Sequence, residues 1–300
     1  MEPETEEVTR EVAGQAAHFL EDGAGPTLFF VHDLLETSVG FAPLVRELGP
    51  RYRKIRIDLP GFGGTRVAEG WDYSLSSYAE VLQAALRETA SRDATLILHG
   101  FGALVGLRAL SEDVGEAARR VSRVVLLNGP LYNDDASGLL GFLRPGPFEA
   151  LTTAPPTDLP SYRRRLLRRF FDPTYFDERH VDQLYQSWRA SGPQTLRRIA
   201  PKLGEMRGQL PKLRASLERW TGPVHLLWGE EDPFSGRDPA NRFKKEVPRA
   251  KVLLFPDVGY LPHEEAPRAV SDQLRKIVRV ARPPAALPPA KSSKEPTALL

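Results

Sequence analysis

The sequence predicts an α/β fold with a mostly parallel central sheet, helices on both faces and an inserted helical cap. Three observations predict it. Short apolar runs rich in Val, Ile, Leu and Phe are bounded by Gly, Pro or Asp, as expected for strands buried on both faces. Helical patterns alternate with these runs, and one long helical stretch interrupts the alternation late in the chain.

The apolar runs are short enough to be strands rather than buried helices. A hairpin over EVAGQAAHFLED near the start is expected to feed the sheet as an antiparallel pair. The helical patterns between the strands are FAPLVRELG, LSSYAEVLQAALRETA and ALVGLRALSEDV. The strands are predicted at TLFFV (27–31), KIRID (54–58), TLILH (95–99), VSRVVLLN (121–128), VHLLW (224–228) and KVLLF (251–255).

Residues 131–220 break the alternation with Pro- and Gly-rich loops followed by three helical stretches. Helices inserted there predict a cap over the carboxyl ends of the strands, where open α/β sheets bind ligands. The core is accordingly assigned to 1–130 and 221–281. The last helix is predicted from Pro267 onward, with Pro at its start. The Pro-rich segment 282–300 lacks periodicity and is predicted to be a disordered tail.

Composition excludes several classes of function. The net charge of +2 favours neither nucleic acid nor an anionic membrane as a partner. The absence of cysteine removes disulfides, thiolate metal sites and a cysteine nucleophile. The acidic start MEPETEEVTR is no signal peptide, and no apolar run is long enough to span a bilayer. A cytoplasmic protein is expected, and abundant Arg, Ala and Pro are typical of a GC-rich bacterial source.

Five segments resemble, in order, the motifs of the α/β-hydrolase superfamily. The resemblance covers roughly residues 10–280 and implies that superfamily's fold. In that family the elbow carries a nucleophilic serine and the last two motifs carry the acid and the histidine. The segments are VHDLLET (oxyanion loop), DLPGFGGT (Asp-x-x-Gly-x-Gly-x-Ser), HGFGALVG (nucleophile elbow), VHLLWGEEDPF (acid) and DVGYLPHEEAP (histidine).

Carried over residue by residue, the resemblance leaves a degenerate triad. Asp232 matches the acid, whereas the serine position holds Gly100 and the histidine position holds Tyr260. Leu98 replaces the leading elbow glycine, and Asp33 replaces the glycine of the oxyanion loop. Glycine offers no nucleophile, a phenol is a poor base at neutral pH, and a carboxylate would repel a developing oxyanion. A serine-hydrolase mechanism is therefore not expected.

The remaining candidate positions each have a structural alternative. His99 beside the elbow either supports the turn or acts in catalysis, and His263 is either a helix-start residue or a displaced base. His32 is expected to anchor the oxyanion loop by hydrogen bonds, and Asp33 is either a solvated loop residue or a general base. Tyr260 is expected to hydrogen-bond Asp232. Leu34 and Phe101 complete the predicted pocket.

Three further patterns bear on other functions. GFGALVG resembles a glycine-rich dinucleotide loop, but it does not lie in the first βαβ unit and no acid ends the next strand. No His/Asp/Glu group shows metal-ligand spacing, so neither a cofactor nor a metal is expected. A basic run is predicted to be the solvated face of a cap helix, with an acidic ligand or partner as the alternative. It comprises Arg163, Arg164, Arg165, Arg168 and Arg169.

These patterns predict a pseudoenzyme that binds a small apolar molecule or a protein partner. The alternatives are a non-hydrolytic enzyme (a lyase, isomerase or cyclase) using Asp232, Tyr260 or Asp33, and a residual ester hydrolase. An open apolar pocket would favour ligand binding, whereas a filled one would favour a scaffold.

Overall fold

The computed structural model describes residues 5–90, 92–112, 116–132, 155–175 and 177–278. Within these ranges eight strands form one sheet in the order β1-β2-β4-β3-β5-β6-β7-β8. The β1–β2 and β2–β4 pairs are antiparallel and all the others are parallel. The strands are β1 (Glu6–Val12), β2 (Gln15–Asp22), β3 (Thr27–Val31), β4 (Arg53–Ile57), β5 (Ala94–His99), β6 (Val121–Leu127), β7 (Val224–Gly229) and β8 (Lys251–Phe255).

All six predicted strands are present with ends displaced by no more than one residue, and the predicted hairpin is present with its first strand beginning five residues earlier, at Glu6. The hairpin turn consists of Ala13 and Gly14, whose φ angles are +49° and +72°. Two consecutive positive φ values are the requirement of a type I′ turn, whose twist matches that of the flanking strands. The strands β3 and β5 are buried at every position, because helices cover both faces of the sheet.

Alternate residues of the central strands enter two separate hydrophobic clusters. Phe29 and Leu96 belong to the cluster on one face, and Phe30 and Ile97 to the cluster on the other. The helices are α1 (Ala42–Leu48), α2 (Leu75–Thr89), α3 (Phe101–Glu112), α4 (Glu116–Arg120), α5 (Leu159–Leu167), α6 (Glu178–Arg189), α7 (Gly192–Ile199), α8 (Leu203–Gly208), α9 (Leu210–Arg219), α10 (Asp238–Glu246), α11 (Pro262–Glu265) and α12 (Pro267–Ile277). Short 3₁₀ turns occur at Ser38–Phe41, Pro173–Tyr175 and Ala200–Lys202.

Helices α5 to α9 lie between β6 and β7 in the chain, where the sequence predicts the cap. Three side chains of this insertion donate hydrogen bonds to carbonyl oxygens of loops that follow β3 and β4. Trp188 Nε1 donates to Leu34 O (3.1 Å), Tyr162 Oη to Leu35 O (2.8 Å) and Thr195 Oγ1 to Gly61 O (2.6 Å). The insertion is thus tied to the loops at the carboxyl ends of the strands.

The division into a core and a separate cap with the bounds 131–220 stays a prediction. Residues 133–154 of that range and the predicted tail, 282–300, lie outside the described residues. Within the described part of the chain, no helix combines the length and apolar character needed to cross a membrane.

Candidate functional site

Gly100 forms the tip of the turn between β5 and α3, and it must be glycine in this structure. Its φ is +55°, a backbone conformation that strains residues with a Cβ. A Cβ at this position would also lie less than 3.0 Å from Cγ of Asp33. The Asp33 carboxylate therefore fills the space into which a side chain at the elbow tip would project.

Leu98 fits at the position of the leading elbow glycine because α3 provides room for it. The side chain of Leu98 lies against Gly106, where an added Cβ would come within 3.0 Å of the leucine Cδ atoms. Leu98 stands on the strand where the motif has glycine, and Gly106 on α3 leaves the space that its side chain fills. The turn is thus formed although the elbow pattern of the sequence is broken.

The Asp33 carboxylate is completely buried and receives three hydrogen bonds. Oδ1 accepts from the backbone N–H of Phe101 at 2.6 Å. Oδ2 accepts from Arg169 Nη1 at 3.0 Å and from Tyr260 Oη at 3.3 Å. The expectation of a solvated Asp33 is therefore wrong. Because the N–H of the residue after the nucleophile is an oxyanion-hole donor in α/β hydrolases, the carboxylate also occupies that donor.

The predicted hydrogen bond between Tyr260 and Asp232 is absent from the structure, since the phenol donates to Asp33 instead. Asp232 lies in the loop after β7 and accepts hydrogen bonds from Asn128 Nδ2 (3.1 Å), the Phe234 N–H (2.8 Å) and Ser235 Oγ (3.0 Å). These local donors satisfy the carboxylate without the phenol. Burial raises the pKa of Asp232 to about 6, although the hydrogen bond from Phe234 opposes the shift. Burial also raises the pKa of Tyr260 well above its ordinary value.

Arg169 corrects the interpretation of the basic run. It is fully buried, whereas Arg163, Arg164 and Arg168 are exposed as predicted. Its guanidinium lies 3.0 Å from Asp33 Oδ2 and 3.3 Å from Glu36 Oε1. Burial disfavours the charged guanidinium, but these two carboxylates outweigh burial and raise the pKa of Arg169. The residue follows the end of α5, so the helical periodicity that places its neighbours in solvent does not apply to it.

The backbone around Arg169 is held by the loop that carries Tyr260. The Tyr260 N–H donates to Arg169 O at 2.8 Å. The Glu265 carboxylate accepts from the N–H groups of Phe171 (2.8 Å), Gly259 (3.0 Å) and Leu261 (3.2 Å). These bonds fix the insertion segment against the β8–α11 loop and direct the guanidinium towards the elbow.

Glu36, His99 and His263 form a second, adjoining group. All three are fully buried. Glu36 Oε1 lies 3.3 Å from His99 Nε2, and Glu36 Oε2 lies 3.6 Å from His263 Nε2. Burial by itself would raise the pKa of Glu36, but the two neighbouring histidines hold it well below its ordinary value. Burial alone would lower the pKa of His99, but the Glu36 charge raises it; the pKa of His263 is lowered by burial.

His32 anchors its loop, as expected. Its Nδ1 lies 2.6 Å from Asp33 O, and its Nε2 accepts from the Leu59 N–H at 2.9 Å. Burial lowers its pKa, so the neutral ring that accepts this bond is favoured. The buried Leu34 presents its carbonyl oxygen to Trp188 of the insertion. The Phe101 ring packs edge-on against Tyr78, with ring centroids 5.2 Å apart.

The structure brings most of the predicted site together and adds two residues. Gly100, Tyr260, Asp33, His99 and Phe101 meet at the elbow. Asp232 contacts none of the charged groups around Asp33 directly, and His32 faces the neighbouring loop. Sequence reasoning missed Glu36, since it lies outside the motif positions, and Arg169, whose periodicity suggested solvent. The structure also brings together Glu36, His99 and His263, whose possible ligand atoms lie within 4.8 Å of one another although they come from distant segments of the sequence.

Chemically, the centre is a set of compensated charges. The Asp33 carboxylate accepts hydrogen bonds from one cation and two neutral donors, which engage both of its oxygens. It stands where an acyl group would approach the elbow, and it repels the negative charge that develops on an acyl oxygen. The arrangement favours a permanent ionic structure over an acyl-transfer centre.

Comparison with known proteins identifies relatives over most of the chain. The family model described as "Alpha/beta hydrolase family" matches residues 28–273. The protein named "Uncharacterized hydrolase YugF" of Bacillus subtilis is 22% identical over 253 residues, covering 84% of this chain and 90% of its own length. A pimeloyl-[acyl-carrier protein] methyl ester esterase of Nitrosomonas europaea is 24% identical over 246 residues, covering 82% and 92%.

Solved structures give the same fold. The meta-cleavage product hydrolase of Pseudomonas fluorescens IP01 superposes with a TM-score of 0.73 at 17% identity, covering 90% of this chain and 98% of its own. The epoxide hydrolase VrEH1 from Vigna radiata superposes with a TM-score of 0.69 at 20% identity, covering 91% and 97%. At these identities the likeness establishes the architecture alone.

Proposed function

Because this chain belongs to the α/β-hydrolase family, we propose that it is a non-hydrolytic member whose reaction centre has become a buried ionic cluster and whose function is to bind a protein partner. The observation that carries the proposal is the place of the Asp33 carboxylate. It fills the space beside Gly100 and accepts the Phe101 N–H. Two requirements of the family mechanism, a nucleophile and a free oxyanion donor, are thereby both lost.

Burial of the cluster also favours a role as a scaffold rather than a pocket for a small ligand. Asp33, Arg169, Tyr260 and His99 are fully buried, and Arg169 reaches from the insertion to the elbow. A ligand that entered here would have to separate Arg169 from two carboxylates. Breaking a buried pair by removing one partner typically costs about 3–5 kcal/mol, which sets the scale of that barrier.

Surface charge on the insertion favours an acidic partner. Arg163, Arg164 and Arg168 are exposed on or beside α5, and Arg163 pairs with Glu178 of α6. Exposed basic clusters steer association with acidic surfaces, and the effect weakens as salt screens it. The arginines that remain exposed therefore give the proposed partner its chemistry, whereas Arg169 serves the interior.

The hydrolytic part is tested by labelling the full chain with a fluorophosphonate and by assaying activated short-chain esters. We expect no label and no turnover above that of a folded protein without a site. The variant Asp33→Gly/Gly100→Ser/Tyr260→His is the matched positive control, since it clears the elbow and restores a serine and a histidine. Labelling of the wild type, or turnover above about 0.1 per second, would contradict the proposal, because working enzymes run at about 1 per second or more.

The binding part is tested by cross-linking and affinity capture with Arg164→Glu/Arg168→Glu. Partners should be lost from this variant and from the wild type at high salt. The matched control is Arg197→Glu/Arg198→Glu, which reverses two exposed charges on α7. Equal capture by both variants would overturn the assignment of the partner surface to α5.

An enzyme of altered chemistry remains a distinct outcome of these tests. A lyase or isomerase that used Asp33 as a base would need that carboxylate free to take a proton. Both oxygens of Asp33 already accept hydrogen bonds from protein groups, which leaves no room for a substrate beside them, and Tyr260, whose phenol pKa is raised, stays protonated. The geometry therefore supports binding over proton transfer.

A further inference from the structure

Three buried side chains beside the elbow carry polar atoms that lack a hydrogen-bond partner within the described part of the chain. These atoms are Glu36 Oε2, His99 Nε2 and both ring nitrogens of His263. In the neighbouring Arg169, Nε and Nη2 also lack a partner. Buried polar atoms are almost always paired, so a group of orphans calls for a physical explanation. Glu36, His99 and His263 are all fully buried, and one possible ligand atom from each lies within 4.8 Å of the others.

The spacing of these atoms fits the coordination sphere of a small divalent cation. Zn²⁺ binds His nitrogen and carboxylate oxygen at about 2.0–2.2 Å, so two ligands at a tetrahedral angle lie about 3.4 Å apart. His263 Nε2 is 3.6 Å from Glu36 Oε2, and His99 Nε2 is 3.3 Å from the other carboxylate oxygen, Glu36 Oε1. One ligand atom from each of the three residues lies within 4.8 Å of the others, so binding one ion requires the side chains to draw together.

Neighbouring groups orient the ligands as they do in metal centres. His99 Nδ1 is hydrogen-bonded to Leu127 O, which places its proton on Nδ1 and leaves the lone pair of Nε2 directed into the site. Glu36 Oε1 lies 3.3 Å from both Arg169 Nη1 and His99 Nε2, whereas Oε2 faces His263. The His263 ring is held between Phe41 and His99, with ring centroids 4.9 Å and 4.6 Å away.

Charge balance permits the ion. The two carboxylates that contact Arg169, those of Asp33 and Glu36, outnumber its single positive charge, so the cluster can accept a cation. Two imidazoles and one carboxylate are ligands that suit Zn²⁺ and other late first-row metals rather than Mg²⁺ or Ca²⁺.

We propose that Glu36, His99 and His263 form a buried binding site for a divalent transition-metal ion, with Zn²⁺ as its representative. The ion joins the loop after β3, the end of β5 and α11, which are the three segments that meet at the elbow. The proposed metal site does not depend on the absence of hydrolysis, because neither Gly100 nor Tyr260 is among its ligands.

The test is metal analysis of the full chain purified from cells grown with added Zn²⁺ or Co²⁺. We expect about one ion per chain after desalting, a visible Co²⁺ spectrum of low-coordinate type, and X-ray absorption that shows two histidine ligands. Glu36→Gln and His263→Gln should each lower retention of the metal by roughly 10-fold or more. His225→Gln is the matched control, since His225 is also a buried histidine but lies on β7 outside the cluster.

Three results would overturn the proposal. The first is wild-type protein that retains less than about a tenth of an ion of Zn²⁺ or Co²⁺ per chain, where a formed site would hold about one. The second is a folded His263→Gln variant that retains as much metal as the wild type. The third is an X-ray absorption spectrum of the metal that shows no histidine ligands. Measurement on the wild type decides the matter even when a variant fails to fold. Esterase activity in a metal-free wild type would contradict the proposed function but leave this site untouched.

Discussion

Replacing Gly100 with alanine tests whether the Asp33 carboxylate fills the elbow. The new Cβ would lie less than 3.0 Å from Cγ of Asp33, at a φ of +55°. The backbone conformation alone costs about 1–2 kcal/mol for a residue with a Cβ. Displacing a buried side chain from a packed site adds about 1–3 kcal/mol. The variant should therefore lose about 2–5 kcal/mol of unfolding free energy.

The reasoning also predicts how Gly100→Ala combines with Asp33→Ala. The single change Asp33→Ala leaves Arg169 with one carboxylate and the Phe101 N–H without its acceptor, at a cost of about 3–5 kcal/mol. In that background the space beside Gly100 is open, so Gly100→Ala should cost only its backbone strain. The two changes should therefore couple by about 1–3 kcal/mol.

Gly14→Ala is the matched control. Gly14 has a φ of +72° and no atom within 4 Å of an added Cβ, so it measures backbone strain without a clash. Urea unfolding of the four proteins of the cycle and of Gly14→Ala, alone and with Asp33→Ala, gives the free energies. If Gly100→Ala costs the same with and without Asp33, or costs no more than Gly14→Ala, the carboxylate does not occupy the elbow.

Three further predictions concern the same cluster. Arg169→Met should destabilise the fold by about 3–5 kcal/mol in urea unfolding, because it leaves two buried carboxylates without their cation, and a loss below about 1 kcal/mol would contradict the buried pair. Tyr260→Phe should lower the unfolding free energy by only about 0.5–1.5 kcal/mol, because it removes one long hydrogen bond to Asp33. The pH dependence of stability that Asp232 causes should persist in this variant. If it disappears, Tyr260 is paired with Asp232 rather than with Asp33. Because the folded-state pKa of Asp232 is about 6 against an ordinary 3.8, the folded protein holds this proton more tightly than the unfolded chain. The contribution of Asp232 to the unfolding free energy should therefore be greatest below about pH 4 and fall by roughly 2–3 kcal/mol as pH rises through about 6. It is measured as the difference between the pH profiles of the wild type and Asp232→Asn, and equal profiles would show that Asp232 is not buried.

The sequence by itself determined the fold and the position of the elbow turn. Apolar strand runs and glycine turns are local signals, so they specified β3 to β8 to within a residue, the presence of the hairpin and the elbow at Gly100. They also established the absence of a hydroxyl at residue 100 and of an imidazole at residue 260. These are properties of residue type and spacing, which need no knowledge of distant contacts.

Only the tertiary structure decided what replaced the missing groups. Asp33, Arg169 and Tyr260 come from three distant segments, and their pairing depends on where the insertion docks rather than on any local pattern. The sequence placed Arg169 in solvent because a helical period cannot show which residue turns inward where the helix ends. It likewise missed the grouping of Glu36, His99 and His263, because such a cluster exists only after β3, β5 and the β8–α11 loop meet. Burial and neighbouring charges then shift the pKa values of Arg169, Tyr260, Glu36, His99 and His263, since both effects act through space and not along the chain.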